Sequence, residues 1–161
     1  MERSSQPITI TQVASIAHPL FQKALDGLAQ FFAEDEYVLA THDLRANVGT
    51  FLGSAGAMLA VMTYKDEVIG FVTVTIMPMI EWGVIAEIGD LWVAKPYRSQ
   101  GNASQLVRFA ENWIASKGCR SLYVTLTKSG LVDNGLDRFY ARLGFADLGR
   151  ISMYKSLPAS S

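Results

Sequence analysis

The sequence predicts an α/β fold with a mixed central sheet that is antiparallel in its first half and flanked by about four helices. In the first half, β-type runs are joined by short polar links, and in the second half strand and helix patterns alternate. Near residue 100, an apolar strand leads into a turn of small residues that opens a helix. Half of the 161 residues are hydrophobic and only 18% are charged, so one domain, with its core at about residues 7–156, can bury such a sheet.

Residue spacing predicts each element of the first half. The segment Pro7–Ala14 alternates β-forming residues and is typical of a first strand. Apolar residues at helical spacing predict a helix over His18–Ala33, and a shorter helix is expected from about His42 to Leu52. Two β-type runs, Ala57–Tyr64 and Val68–Met77, are joined by a polar link and predict a hairpin.

The second half is predicted to alternate strands and helices and to end in a hairpin. In chain order we expect an apolar connection Met77–Gly83, a strand Val84–Val93, a helix Ser104–Lys117, a strand Ser121–Thr127, a polar link Thr127–Asn134, a helix Gly135–Leu143 and a closing hairpin Phe145–Tyr154. The central sheet would therefore gain its parallel pair from the two strands that flank the long helix.

The turn before the long helix is suited to an anionic ligand. The first amides of a helix have no intrahelical partner, and they lie at the positive end of the helix dipole. Gly101 and Ala103 leave no bulk in front of these amides, and Arg98 adds a cation suited to phosphate. We therefore expect a phosphate-bearing ligand here, bound by the turn residues Arg98, Ser99, Gln100, Gly101, Asn102, Ala103 and Ser104.

This turn lacks the P-loop and dinucleotide-binding patterns. It resembles the R/Q-x-x-G-x-G/A signature of the GNAT family of N-acetyltransferases, in which the turn holds the pyrophosphate of acetyl-coenzyme A (acetyl-CoA). About thirty residues later the chain resembles the family's second signature, N-x-x-A-x-x-[FL]-Y-x-x-x-G-F. The matching residues there are Asn134, Phe139, Tyr140, Gly144 and Phe145.

The resemblance covers roughly Val68–Lys155, with one helix and one strand between the signatures, and two positions depart from it. Asp137 stands where the family usually has alanine, and Asn102 stands where it usually has an aliphatic residue. Both positions commonly pack inward in the family. Ala103 in place of the second glycine is an accepted variant.

The resemblance implies an enzyme that transfers an acetyl group from acetyl-CoA to an amine by direct attack in a ternary complex. The pantetheine arm would pair with free backbone amides of Leu91-Trp92-Val93, because the next strand, Ser121–Thr127, would splay away. Asn134 and Tyr140 would also contact the cofactor, and Tyr140 would protonate the coenzyme A thiolate. A phenol suits this task because its pKa lies within about two units of that of a thiol.

The residue that deprotonates the amine is less defined by the sequence. With the period of two of a strand, Glu87 is expected on the same face as Leu91 and Val93, upstream of the thioester. Asp90 is expected on the opposite face, and Glu81 lies in the preceding connection. Glu87 is the preferred base; Glu81, Asp90 and water are the alternatives.

The resemblance implies that the acceptor lies between the first helix–helix region, here Glu34–Tyr37, and the connection before the central strand, here Met77–Gly83. The acidic and aromatic residues of these segments suit a cationic amine. A small-molecule amine is the favoured partner. The alternatives are a protein or peptide N-acetyltransferase and a non-catalytic acetyl-CoA-binding regulatory module. The apolar connection also allows a homodimer.

Composition excludes several other classes of protein. A net charge of −1 and a pI near 6.1 argue against a nucleic-acid-binding protein. Apolar segments are shorter than the ~20 residues of a membrane span, and no signal peptide is visible, so a cytoplasmic location is expected. The single cysteine, Cys119, excludes an internal disulfide, and His18 and His42 lack companions at metal-ligand spacing, so no metal site is expected.

Overall fold

The computed structural model describes residues 7–34 and 41–158. The chain divides into two compact units, one ending at Val124 and one beginning at Thr125. The described elements of the first unit are β1 (Thr9–Gln12), α1 (Phe21–Glu34), α2 (Thr41–Leu52), β2 (Ala57–Tyr64), β3 (Glu67–Met79), β4 (Gly83–Val93), a 3-10 turn (Lys95–Tyr97), α3 (Asn102–Ser116) and β5 (Leu122–Val124). The second unit holds α4 (Lys128–Asp133) and α5 (Leu136–Arg142).

The first unit is built on one mixed sheet, as the sequence predicts. The described strands lie in the order β1-β2-β3-β4-β5; the first four are antiparallel, and β5 pairs with β4 in parallel. The parallel pairing is short and joins Ala86–Ile88 to Leu122–Val124. β5 ends at Val124, so its pairing with β4 stops at Ile88, whereas β4 continues to Val93.

Helices cover both faces of this sheet. The front face, which carries Phe71 and Trp92, packs against α1 and α2 in one apolar core. The buried stripe of α1 follows helical spacing, and at Gly27 an added Cβ would lie 3.2 Å from Val68, so the helix sits close to the sheet. The back face packs against α3. An added Cβ at Gly70 of β3 would lie 3.2 Å from Leu106 of α3, so the helix and the sheet are close there.

Two sequence predictions for the second unit are wrong. The polar link predicted over Thr127–Asn134 contains helix α4, which Thr127 caps by accepting a hydrogen bond from the Gly130 amide at 3.1 Å. The hairpin predicted over Phe145–Tyr154 is not formed, because residues 146–158 contain no strand. Their β-type composition can form a strand only when a partner supplies backbone hydrogen bonds.

In the part of the chain that the structure describes, no helix combines the length and apolar character that crossing a bilayer requires.

Candidate active site

The turn between β4 and α3 has the backbone shape of an anion-binding loop. Ser99 and Gly101 have positive φ angles of 60° and 81°, which curl the chain immediately before the helix. Gly101 is the residue that precedes the first helical position, and an added Cβ there would meet nothing within 4 Å. The first amides of α3 therefore face open space at the positive end of a helix of 15 residues.

Asn102 holds this turn in shape. Its side chain is only 3% exposed, and its Nδ2 donates a hydrogen bond to the carbonyl oxygen of Tyr97 at 2.8 Å. The polar residue that departs from the family pattern is therefore buried with its donor satisfied. The other departure, Asp137, is exposed in the first turn of α5, where a carboxylate is favourable toward the helix dipole.

Arg98 is engaged with the protein itself. Its Nε donates to the carbonyl oxygen of Val93 at 2.7 Å, and its guanidinium forms an ion pair with Glu34 at the end of α1. The cation expected to face phosphate thus also ties the end of α1 to the end of β4.

The last residues of β4 direct alternate amides away from β3. The Ala94 amide donates to the carbonyl oxygen of Ile69 at 2.8 Å. Since amides alternate in an antiparallel ladder, the N–H of Trp92 also turns toward β3, whereas those of Leu91 and Val93 turn away from it. They lie beyond the point where β4 and β5 stop pairing. The amides of Leu91 and Val93 are thus directed to the side on which the sequence predicts the pantetheine arm, whereas the Trp92 amide, predicted to be free as well, is directed toward β3.

A β-bulge in β4 corrects the predicted position of Glu87. Leu91 pairs with Val72 and Ile88 pairs with Val74, so two residues, Gly89 and Asp90, lie opposite Thr73. Because of this extra residue, the side chains of β4 before Gly89 point to the opposite face from the one that a strict period of two, counted from Leu91, would give.

Glu87, which pairs with Thr75, is consequently on the front face, like Thr73 and its partner Asp90. Leu91 and Val93 pair with Val72 and Gly70 on the back face. The sequence predicts Glu87 on the same face as Leu91 and Val93, and this is wrong. Glu87 instead shares the front face with Asp90.

Asp90 lies on the front face, beside the bulge. Thr73 Oγ1 donates to Asp90 Oδ2 at 2.9 Å and accepts from the Asp90 amide at 2.8 Å. Burial raises the pKa of the Asp90 carboxyl, the negative charge of Glu87 raises it further, and the hydrogen bond from Thr73 opposes both effects. A carboxyl with a raised pKa is a better proton acceptor than an ordinary aspartate.

Glu87 lies beside Tyr123 of β5, with which it is in register. The Tyr123 hydroxyl donates to Glu87 Oε2 at 3.0 Å. Burial first, and then the hydrogen bond and charge of Glu87, raise the pKa of Tyr123. The Tyr123 ring also lies near that of Trp82, with the ring centres 6.4 Å apart.

A cavity of about 250 Å³ opens between α1, α2 and the front face of the sheet. Its walls are mostly apolar, and its polar groups come from Asn47, Thr73 and Asp90. The apolar lining residues are Leu28, Phe32, Leu44, Val48, Phe51 and Leu59. The cavity therefore places one carboxyl group among hydrocarbon side chains.

The expected acceptor segments are only partly described. Glu34 is engaged with Arg98, and residues 35–37 lie outside the described residues. The connection Met77–Gly83 is mostly strand, because β3 ends at Met79 and β4 begins at Gly83. Its Ile80 and Glu81 are exposed, and Trp82 is half-buried.

Tyr140 belongs to α5 of the second unit. It is 6% exposed and packs edge-on against Phe139 and Phe145. Burial raises the pKa of Tyr140 to about 12, so its hydroxyl keeps its proton throughout the neutral range. Asn134, the other residue that the second signature contributes, follows α4 and is exposed.

Sequence reasoning missed Thr73 and Tyr123, and it assigned Glu87 to the wrong face of the sheet. A signal for the bulge was present, because Gly89 lies inside a strand, and an internal glycine often marks such an irregularity. No sequence pattern identifies Thr73 or Tyr123, because each becomes relevant only through strand register.

The comparison with protein families agrees with this geometry. The model of the acetyltransferase (GNAT) family matches residues 19–145, which is most of the chain. The chain belongs to this family. GNAT enzymes take acetyl-CoA as their acetyl donor. The open turn before α3 and the outward amides of Leu91 and Val93 fit its phosphates and its extended arm.

Solved structures share the fold at low sequence identity. An aminoglycoside acetyltransferase from an uncultured soil metagenomic sample, in complex with sisomicin, is 18% identical with a TM-score of 0.76, over 94% of this chain and 97% of that one. The aminoglycoside N-acetyltransferase AAC(6')-Iy, in complex with CoA, is also 18% identical, with a TM-score of 0.75 over 97% and 98%. A transcriptional regulator from Bacillus halodurans is 20% identical with a TM-score of 0.76, over 94% and 100%. No curated protein sequence matches the chain.

Proposed function

We propose that the protein is an N-acetyltransferase that moves the acetyl group of acetyl-CoA to the primary amine of a small molecule. The observation that carries this proposal is the cavity whose polar wall is Asp90, on the same strand as the outward amides of Leu91 and Val93. One strand thus offers both a cofactor-pairing edge and a carboxyl group for an amine. The aminoglycoside acetyltransferases of the same fold support acetyl transfer to an amine.

Cofactor binding follows from the first unit. The helix N-terminus behind Gly101 would hold the pyrophosphate through backbone amides, with Asn102 keeping the turn in place. The amides of Leu91 and Val93 would pair with the pantetheine arm. Acetyl-CoA supplies an acetyl group activated as a thioester.

The amine nitrogen forms the new C–N bond as the thioester C–S bond breaks, and the nitrogen must lose a proton. We assign this proton to Asp90, because Asp90 lines the cavity and has a raised pKa. Glu87, which the sequence favours as base, accepts a hydrogen bond from Tyr123, and we assign to it the supporting negative charge that helps to raise the pKa of Asp90.

The departing thiolate needs a proton, and Tyr140 is the proposed donor. Its place in the second signature supports this role. Its pKa of about 12 keeps it protonated at neutral pH, but it also makes Tyr140 a weaker proton donor to a thiolate than an ordinary phenol. The reaction balances as amine plus acetyl-CoA giving acetamide plus free coenzyme A thiol.

The test is thiol release from acetyl-CoA in the presence of a panel of primary amines, with the acetylated product identified by mass spectrometry. Tyr140→Phe should lower kcat about 100-fold or more while acetyl-CoA affinity stays near that of the parent, since the ring contacts are kept. Tyr154→Phe is the matched control, because Tyr154 is 93% exposed. Binding of acetyl-CoA without acetylation of any amine would refute catalysis and leave a cofactor-binding module.

A further inference from the structure

The cavity in front of the sheet joins one carboxyl group to an apolar wall. Nine lining residues belong to the part of the chain that the structure describes, and six of these carry hydrocarbon side chains, from α1, α2 and β2. Among these described lining residues, Asp90 is the charged one, and Asn47 and Thr73 are the neutral polar ones. A ligand that matches this surface has one cationic end and a hydrocarbon body.

Asp90 lacks a cationic partner in the part of the chain described, residues 7–34 and 41–158. The Asp90 carboxylate accepts a side-chain hydrogen bond from the neutral hydroxyl of Thr73, and the charged group near it is another carboxylate, Glu87. A half-buried carboxylate in such surroundings is unfavourable until a cation reaches it, and its partial burial accordingly raises its pKa. An alkylammonium group would supply the missing opposite charge.

A polycation does not match this cavity. A second ammonium group inside it would lie against Leu, Val or Phe side chains, where burying an unpaired charge is strongly unfavourable. Polyamines and aminoglycosides carry several such groups. The cavity is therefore poorly suited to aminoglycosides, although two of the solved structures that share the fold are aminoglycoside acetyltransferases.

The cavity volume fits a small hydrocarbon body. A leucine- and phenylalanine-lined cavity of about 150 Å³ is large enough for benzene. The cavity here measures about 250 Å³, so an aromatic ring and a two-carbon chain fit within it. Phe32 and Phe51 offer aromatic contacts to such a ring.

We propose that the acceptor is a primary monoamine on a compact apolar body, such as an arylalkylamine, with its nitrogen at Asp90 and its body between α1 and α2. This proposal rests on the proposed function for turnover, but binding of the amine in the cavity can be measured without it.

The experiment compares phenethylamine with spermidine and sisomicin as acceptors, and measures phenethylamine binding by titration calorimetry. The matched uncharged probe is 2-phenylethanol. Val48→Trp fills the cavity from α2, and Ala46→Trp adds the same ring at an exposed position of the same helix. Acetyl-CoA binding by each variant reports whether the first unit is folded.

Phenethylamine should have a kcat/KM at least about tenfold above those of spermidine and sisomicin. Val48→Trp should weaken phenethylamine binding at least about tenfold, and Ala46→Trp should leave it unchanged. The parent should bind phenethylamine more tightly than 2-phenylethanol, and Asp90→Asn should abolish that preference.

Preference for either polycation, or equal effects of the two tryptophan variants, would overturn the proposal. Should Val48→Trp fail to fold, the loss or persistence of the amine preference in Asp90→Asn decides the question. Phenethylamine binding without acetylation would refute the proposed function and leave the cavity assignment standing. Acetylation of other amines without phenethylamine binding would refute the cavity assignment and leave the proposed function standing.

Discussion

The glycines at the two ends of α3 allow the cofactor turn to be tested against an internal control. Gly101 precedes the helix with φ +81°, and Gly118 follows it with φ +76°. An added Cβ at either position would meet nothing within 4 Å, so alanine introduces no clash at either end. The two substitutions differ in what lies beside them, because only Gly101 stands in front of the outward amides of the helix N-terminus.

The stability cost follows from the backbone alone. A left-handed conformation costs a residue with a Cβ about 1–2 kcal/mol. Because neither site is crowded, Gly101→Ala and Gly118→Ala should each lose about 1–2 kcal/mol of unfolding free energy, measured by urea denaturation. The two losses should be alike.

Cofactor binding should separate the two variants. A methyl group at position 101 occupies the space through which phosphate oxygens reach the first amides of α3. Loss of about 1.4 kcal/mol of these charge-assisted hydrogen bonds corresponds to tenfold weaker binding. Titration calorimetry with acetyl-CoA should show this loss for Gly101→Ala and parent-like binding for Gly118→Ala.

Equal binding by both variants and the parent would refute the assignment of the turn to the phosphates. Equal weakening in both variants would show that lost stability, and not obstruction of the turn, governs binding.

Two further predictions concern buried polar groups. Asn102→Leu keeps the side-chain bulk but leaves the Tyr97 carbonyl oxygen without its donor, so it should cost about 1–2 kcal/mol in urea unfolding and weaken acetyl-CoA binding; unchanged values would remove Asn102 from the support of the turn. Because the folded-state pKa of Asp90 is raised above its unfolded value, the folded protein holds this proton more tightly, and parent stability falls as pH rises through that interval. Asp90→Asn lacks this pH dependence, so its stability relative to the parent should rise as the pH increases from about 4, the ordinary pKa of an aspartate, and should level off above the folded-state pKa of Asp90; a pH-independent difference in urea midpoints would contradict the raised pKa.

The sequence was sufficient for most of the sheet because the strands there are patterned over their whole length. The prediction for Ala57–Tyr64 coincides with β2, and the turn that opens α3 was located from its small residues. Both depend on local signals, namely a continuous run of apolar residues that is buried on both faces of the sheet, and glycine chemistry. The family signatures added the chemistry that local patterns do not carry.

The parts that sequence reasoning missed depend on contacts between distant residues. One additional residue at Gly89 moves Glu87 to the face opposite Leu91 and Val93, so that it shares a face with Asp90, and only pairing with β3 reveals this. Thr73 is a routine strand residue until the register sets its hydroxyl against Asp90. The segment Phe145–Tyr154 has strand composition but no strand, because composition does not provide a hydrogen-bonding partner.

The bulge also determines where β4 can change its length. Without Gly89, Asp90 would still lie opposite Thr73, and Leu91 and Ile88 would keep their partners, so both ends of the strand would retain their orientation. A deletion between Gly83 and Glu87 would instead exchange the two faces for every residue that precedes it in the strand. In a chimera of this protein with a related acetyltransferase, or in an alignment of the two, a gap within β4 belongs at position 89.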